Sequence, residues 1–162
     1  MSDLNALIEP FLTEELRQDV LAWRRHIHRH PELSFEEHET AAYIERELRA
    51  MGYDDVASPT PTSRVATLCG GKGPGRTIAL RADIDALPVE EAEGLACRSV
   101  VPGVSHVCGH DAHAAMLLGT AKLLLSIKDE IPGTVKFFFQ HAEEQAPGGA
   151  EGMVKAGVLE GV

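Results

Sequence analysis

The stretch that most restricts the fold is Gly133–Gln140, "GTVKFFFQ". Its β-branched and aromatic residues read as a buried strand. A buried strand needs partner strands and covering layers, so the rest of the chain has to supply both. Two further apolar strands are predicted upstream, "RVATLC" (Arg64–Cys69) and "RTIALRADI" (Arg76–Ile84). The turn-rich "GGKGPG" between them predicts a hairpin. A phosphate loop is not supported there, because Gly71-Lys72 is followed by Gly73 rather than Ser or Thr and no helix follows.

The remaining segments have helical period. Thr13 is a plausible N-cap, with Glu14 and Glu15 in the first turn, where the helix dipole favours negative charge. Leu16, Val20, Trp23 and Ile27 follow at core spacing, and His30-Pro31 ends the run because Pro31 disfavours helical geometry in the residue before it. "SFEE" predicts a capping box that starts a second helix at Ser34, with Glu37 as the reciprocal partner. Ala41, Ile44, Leu48 and Met51 form its apolar stripe, and Gly52 stops it. A third helix is expected over about 112–127, and "GGAEGMVKAGVL" suggests a short fourth. Helices alternating with apolar strands define an α/β fold, a layered sheet with flanking helices. At 162 residues the chain is long enough for one domain with its own core.

Charge and cysteine usage narrow the function. A net charge of −10 argues against nucleic acid or an anionic membrane as the main partner. No apolar run reaches spanning length, and "MSDLNALIEPFLTEEL" lacks the basic and apolar regions of a secretory leader. Cys69, Cys97 and Cys108 have no disulfide-like spacing and fit reduced thiols, so a cytoplasmic protein is expected.

Three segments at predicted strand or loop ends carry chemistry: "RADIDALP", "HVCGHDAH" and "QHAEEQAPGG". Gly109 lets the backbone bend so that Cys108 and His110 can face one point. A thiolate and an imidazole both suit borderline-soft divalent metals, but a buried inert cysteine beside a loop histidine explains the same residues. Asp111 is placed as the N-cap of the following helix, with His113 in its first turn. A structural zinc site is disfavoured because no second cysteine or histidine pair has matching spacing. Glu143 and Glu144 shift the balance. Adjacent residues in extended chain point oppositely, so one carboxylate can hold a metal while the other takes a proton from water; a solvated acidic turn is the alternative. Asp83 and Asp85 could each orient a ligand histidine or simply cap the loop after the strand. His26 and His30 are four apart, but the surrounding arginines disfavour a cation, and they read mainly as surface or structural residues, with substrate contact as the alternative.

Taken in order, "RRHIHRHPELSFEEHETAAYI", "RADIDALP", "HVCGHDAHAAMLLGTAKLL" and "GTVKFFFQHAEEQAPGGAEGMVKAGVL" resemble the hippurate hydrolase and N-acyl-amino-acid amidohydrolase branch of the aminoacylase–carboxypeptidase metallopeptidases. The resemblance implies two divalent metal ions (zinc, manganese, cobalt or nickel) and hydrolysis of the amide bond of an N-acyl amino acid or short peptide. It makes Cys108, His110 and Glu144 metal ligands, Cys108 as the bridging anion, and Glu143 the general base. Asp83, Asp111 and His113 take supporting positions around them. His141 departs from the proline common in the family's "FQPAEE" segment. The resemblance also implies that residues 1–162 are the N-terminal portion of a catalytic domain. Two more histidine ligands, the C-terminal catalytic part and an inserted lid domain that forms a homodimer would then lie downstream. On that reading the isolated chain is expected to have an exposed sheet edge or apolar patch, to bind metal weakly and to turn over little. A non-catalytic interaction fragment is the competing reading.

Overall fold

The computed structural model describes residues 7–162, so the leader reading over residues 1–16 falls partly outside the described residues. Four helices, α1 (Glu14–Arg29), α2 (His38–Met51), α3 (His110–Ser126) and α4 (Gly149–Lys155), surround a four-stranded sheet. Its strands are β1 (Val56–Ala57), β2 (Arg64–Cys69), β3 (Thr77–Asp83) and β4 (Thr134–Gln140), in the order β1-β2-β4-β3. β3 and β4 run parallel, with Asp83 opposite Gln140, while β2 is antiparallel to both β1 and β4. β3 forms one sheet edge and pairs only with β4 among the described residues; its Ile78 is half exposed.

The phenylalanine strand is central and covered on both faces. Val135, Phe137 and Phe139 point into the main core with Trp23, Ile27, Ile44, Leu48 and Leu118 from α1, α2 and α3. Phe138 points the other way, onto Val65 and Met153 of α4. Alternating side chains on a strand therefore serve two hydrophobic layers. Two polar ties fix the helical layer: Trp23 Nε1 donates to Glu47 Oε2 at 2.8 Å, and Tyr53 donates to the Ala121 carbonyl at 3.0 Å. Gly119 lets α1 approach α3, since a Cβ there would lie 2.6 Å from Val20 Cγ2. No helix is long and apolar enough to cross a membrane among the described residues.

Helix α1 starts and stops as expected, with Thr13 Oγ1 accepting from Leu16 N at 3.1 Å and His30 as the C-cap. Three local expectations are corrected. The "GGKGPG" turn is not a hairpin, because β4 inserts between β2 and β3; the turn instead packs on the chain entering β4, with Gly70 N and Lys72 N donating to Gly133 O and Ile131 O. The second helix begins at His38, not Ser34. Glu32 occupies the capping role from outside the helix, its carboxylate accepting from Glu39 N, Thr40 N and the Thr40 hydroxyl at 2.7–3.1 Å. That frees Ser34 and Glu37 for long-range contacts, and both are buried. Third, Gly109 is the N-cap of α3, in a left-handed conformation (φ 90°), and Asp111 lies inside the first turn.

Candidate metal centre

Parallel pairing brings the carboxyl ends of β3 and β4 to the same side of the sheet, and the amino end of α3 lies there too, its His110 and His113 touching residues just past β3. Open α/β sheets characteristically place ligands at this end. After Gln140 the chain turns sharply through Ala142, which has a positive φ of 47°. Two contacts hold the turn: the Ala142 amide donates to the buried Glu37 carboxylate at 2.7 Å, and Gly149 N donates to the Ala142 carbonyl at 2.8 Å. A Cβ on Gly149 would sit 2.0 Å from the His141 carbonyl, so α4 can close against the turn only with glycine at that position. The turn delivers Glu143 and Glu144 back over the strand ends.

There the structure brings together Cys108, His110 and Glu144, with potential ligand atoms all within 4.8 Å of one another. His110 is buried, Glu144 partly so, and Cys108 exposed. Glu143 is more open; its Oε2 lies 4.0 Å from His110 Nε2, beside Glu144 Oε1 at 3.9 Å. His110 Nδ1 is engaged by Asp85, 3.0 Å from the backbone carbonyl and 3.2 Å from Oδ1. Both partners are acceptors, so Nδ1 carries the proton and Nε2 turns its lone pair toward the cluster in the neutral ring. Asp85 is itself fixed, since its Oδ2 accepts from Ser34 Oγ at 2.7 Å and from Glu144 N at 3.0 Å.

The electrostatics are those of a pocket short of positive charge. The hydrogen bond to Asp85 is the main cause that raises His110 to about 9. Cys108 is pushed up to about 11, first by its hydrogen bond to Glu144, with the charges of Glu143 and Asp85 adding to it. Burial works to raise Asp85, but the hydrogen bonds from His110, the Glu144 amide and Ser34 outweigh it and hold that carboxyl well below its usual range. Glu144 Oε1 is buried without any hydrogen-bond partner. A divalent cation answers each of these features: it supplies the missing charge, occupies the orphaned oxygen and accepts mixed sulfur, nitrogen and oxygen donors. The residues present fit such an ion.

Asp83, Asp111 and His113 stand further out. Asp83 is held by Arg81 at 3.0 Å, and its backbone amide donates to His113 Nδ1 at 3.3 Å; neither residue touches His110. Asp111 faces away into a buried ionic network, 2.7 Å from both His28 Nδ1 and Arg24 Nε, with Glu91 on the far side of His28 at 2.7 Å. His26 and His30 lie on the surface. The three cysteines are free thiols. Sequence reasoning left Asp85 undecided and missed Ser34, Glu37 and His28. Asp83 and Asp85 share strand parity, so alternation alone does not separate them. His28 carried a usable signal in its place next to Ile27 in the apolar stripe.

An α/β sheet with a sulfur–nitrogen–oxygen ligand set at the carboxyl ends of its parallel strands defines a candidate metal-binding protein. The sequence pattern of Peptidase family M20/M25/M40 matches residues 79–162, and the chain belongs to that family. It is 53% identical to the N-acyl-L-amino acid amidohydrolase of Geobacillus stearothermophilus, over 93% of this chain and 40% of that protein. It is 47% identical to thermostable carboxypeptidase 1 of Saccharolobus solfataricus, over the same shares of the two chains. Among solved structures, the Bacillus subtilis YxeP protein, described as a dinuclear metal-binding peptidase, superposes with a TM-score of 0.87. It shares 43% identity over 92% of this chain and 41% of that one. The chain thus spans about 40% of the length of the curated relatives it matches.

Proposed function

We propose that this chain carries part of a two-metal centre that hydrolyses the amide bond of N-acyl amino acids. The convergence of Cys108, His110 and Glu144 within 4.8 Å, with Glu143 at its open side, carries the reading. Cys108, His110 and Glu144 would hold an ion, and Cys108 would supply an anionic sulfur donor on losing its proton to metal binding, the kind of ligand two cations can share. Zinc, manganese, cobalt and nickel all suit this donor set. When bound, such ions supply Lewis acidity, which makes water a nucleophile at neutral pH and polarises the amide carbonyl.

The chain's own residues do the rest. Asp85 locks the His110 tautomer and keeps Nε2 directed into the site, while Ser34 and the Glu144 amide keep Asp85 from rotating away. Glu143 would take the proton of the attacking water and return it to the departing amine, a cycle that suits an exposed carboxylate beside the cluster. Glu37 supports the turn from which both Glu143 and Glu144 reach toward His110 Nε2. The relatives' length supports reading residues 1–162 as the N-terminal portion of a catalytic domain. The remaining ligands, a lid domain and a homodimer interface then belong to downstream sequence.

Elemental analysis and calorimetric titration of the chain with each of the four metals test the ligand set. Binding is expected in the chain and is expected to be lost in a Cys108→Ala/His110→Ala double variant; equal binding by both would remove this reading. Hydrolysis is tested with hippurate and other N-acyl amino acids on the full-length gene product. There Glu143→Gln is expected to lower kcat by about 100-fold or more, the scale of a positioned general base.

A further inference from the structure

A second concave site lies away from the strand ends. A groove of about 400 Å³ opens between the last turns of α1, the first turns of α2 and Val101, and shares no residue with the cluster around His110. Its volume falls within the range of small-molecule sites. Its wall is aromatic: His26 stacks on Tyr43 with ring centroids 3.8 Å apart and planes 16° apart, and the His30 ring lies 4.9 Å from His26. Ile27 and Pro31 are buried in its floor.

One cation faces this wall. The Arg46 guanidinium lies 5.1 Å from the centre of the Tyr43 ring. It has no carboxylate partner among the described residues, whereas Arg49 and Arg64 nearby share Glu45. Of the two acidic groups at the groove, Glu32 is already engaged, capping the first turn of α2 through Glu39 N and Thr40 N. Glu39 remains at the far rim, seven residues before Arg46 on the same helix and therefore roughly 10 Å from it along the axis. The groove has an aromatic wall, one guanidinium without a carboxylate partner among the described residues, and an anion at the opposite end.

We propose that this groove binds a small aromatic monocarboxylate, its ring on the His26–Tyr43 wall and its carboxylate on Arg46. A guanidinium grips a planar carboxylate through two parallel hydrogen bonds, and the ring edges of the stacked pair, above the apolar floor of Ile27 and Pro31, suit an edge-to-face contact with a ligand ring. Glu39 repels a second anionic group, which separates monocarboxylates from dicarboxylates. The inference does not depend on the metal centre and survives its failure.

The test is a titration of the ¹⁵N-labelled chain with benzoate, followed residue by residue in amide correlation spectra. Saturable shifts are expected at His26, Thr40, Tyr43 and Val101. Acetate, which lacks the ring, and benzyl alcohol, which lacks the charge, are each expected to bind about tenfold more weakly, a difference of about 1.4 kcal/mol. Isophthalate is expected to bind more weakly than benzoate. Arg46→Glu is expected to weaken benzoate by tenfold or more, with the rest of the spectrum unchanged. Arg46→Gln, which keeps the aliphatic stem, should reproduce the loss if the charge reversal disturbs α2. The proposal is overturned by an absence of saturable shifts, by shifts confined to Cys108–Glu144, by benzylammonium binding more tightly than benzoate, or by benzoate binding that both Arg46 variants leave intact.

Discussion

His110 and Asp111 are consecutive residues at the start of α3, yet they face different surroundings. Asp111 is almost wholly buried, its Oδ2 lying 2.7 Å from both Arg24 Nε and His28 Nδ1, and Glu91 lies 2.7 Å from the other nitrogen of His28. Arg24 supplies the positive charge that meets Asp111 Oδ2, although Asp111 Oδ1 has no hydrogen-bond partner. His110 has one nitrogen fixed by Asp85, while the other faces two carboxylates at about 4 Å that it does not bond. A thiol pushed up to about 11 and an orphaned Glu144 oxygen complete that side. Neighbours on one helical turn thus separate a region that holds the fold together from a region left incomplete for a ligand. Unmet charge, rather than the number of polar groups, marks the site.

The sharpest way to break this contrast is to damage the satisfied side. Asp111→Ala leaves Arg24 without its counter-charge and His28 Nδ1 without its carboxylate partner, and removing one member of a buried ionic network costs about 3 kcal/mol or more. Urea denaturation should show that loss, and a change below about 1 kcal/mol would mean the network is not structural. On the other side, His110→Ala takes a partner from buried Asp85 and should cost the metal-free chain some stability, but less than Asp111→Ala. It should weaken metal binding by more than about a hundredfold, beyond the 10–100-fold typical of losing a group that only orients a ligand. Competition against a chromophoric chelator measures this, and equal affinity would remove His110 from the site. Asp85→Asn probes the boundary between the two sides. It keeps the shape but exchanges a carboxylate oxygen for an amide, and the expected loss of metal affinity is about 10–100-fold, smaller than for His110→Ala. If Asp83→Asn gave the larger loss, Asp83 rather than Asp85 would be the orienting group.

The parts legible in the sequence are those decided locally. Thr13 caps α1 because its hydroxyl reaches an amide three residues on, and the phenylalanine strand declares itself by side-chain type alone. Cys108, His110 and Glu144 stood out as candidates by residue type, but the residues alone left an inert cysteine and an acidic turn open; the resemblance named them as ligands, and the structure brings the three together. What the sequence hid was decided by distant partners. "SFEE" has a sound capping pattern, but Glu32 takes that duty, and Ser34 and Glu37 turn toward Asp85 and Ala142 across the molecule. "GGKGPG" has the composition of a hairpin turn, yet which strand fills the neighbouring place is set by β4, about 60 residues later, and no local signal records it. Asp83 and Asp85 share a strand face, and only the approach of α3 decides which of them meets His110.

Glu37 offers the finest test, because it belongs to neither side cleanly. It has no solvent exposure; its Oε1 supports the turn at Ala142, while Oε2 has no partner. Burial raises its pKa from the ordinary 4.5, and the hydrogen bonds it accepts offset that only in part. A carboxyl with a raised pKa in the folded state binds its proton more tightly there than in the unfolded chain. Its contribution to stability is therefore full below about 4.5 and is lost as pH rises through the higher folded value. Glu37→Gln keeps a carbonyl to accept from the Ala142 amide but cannot ionise. Melting temperatures taken across that window should show the wild-type chain losing ground to the variant as pH climbs. Parallel curves would mean that Glu37 is solvated or paired in the folded chain and does not carry the raised pKa that its burial implies.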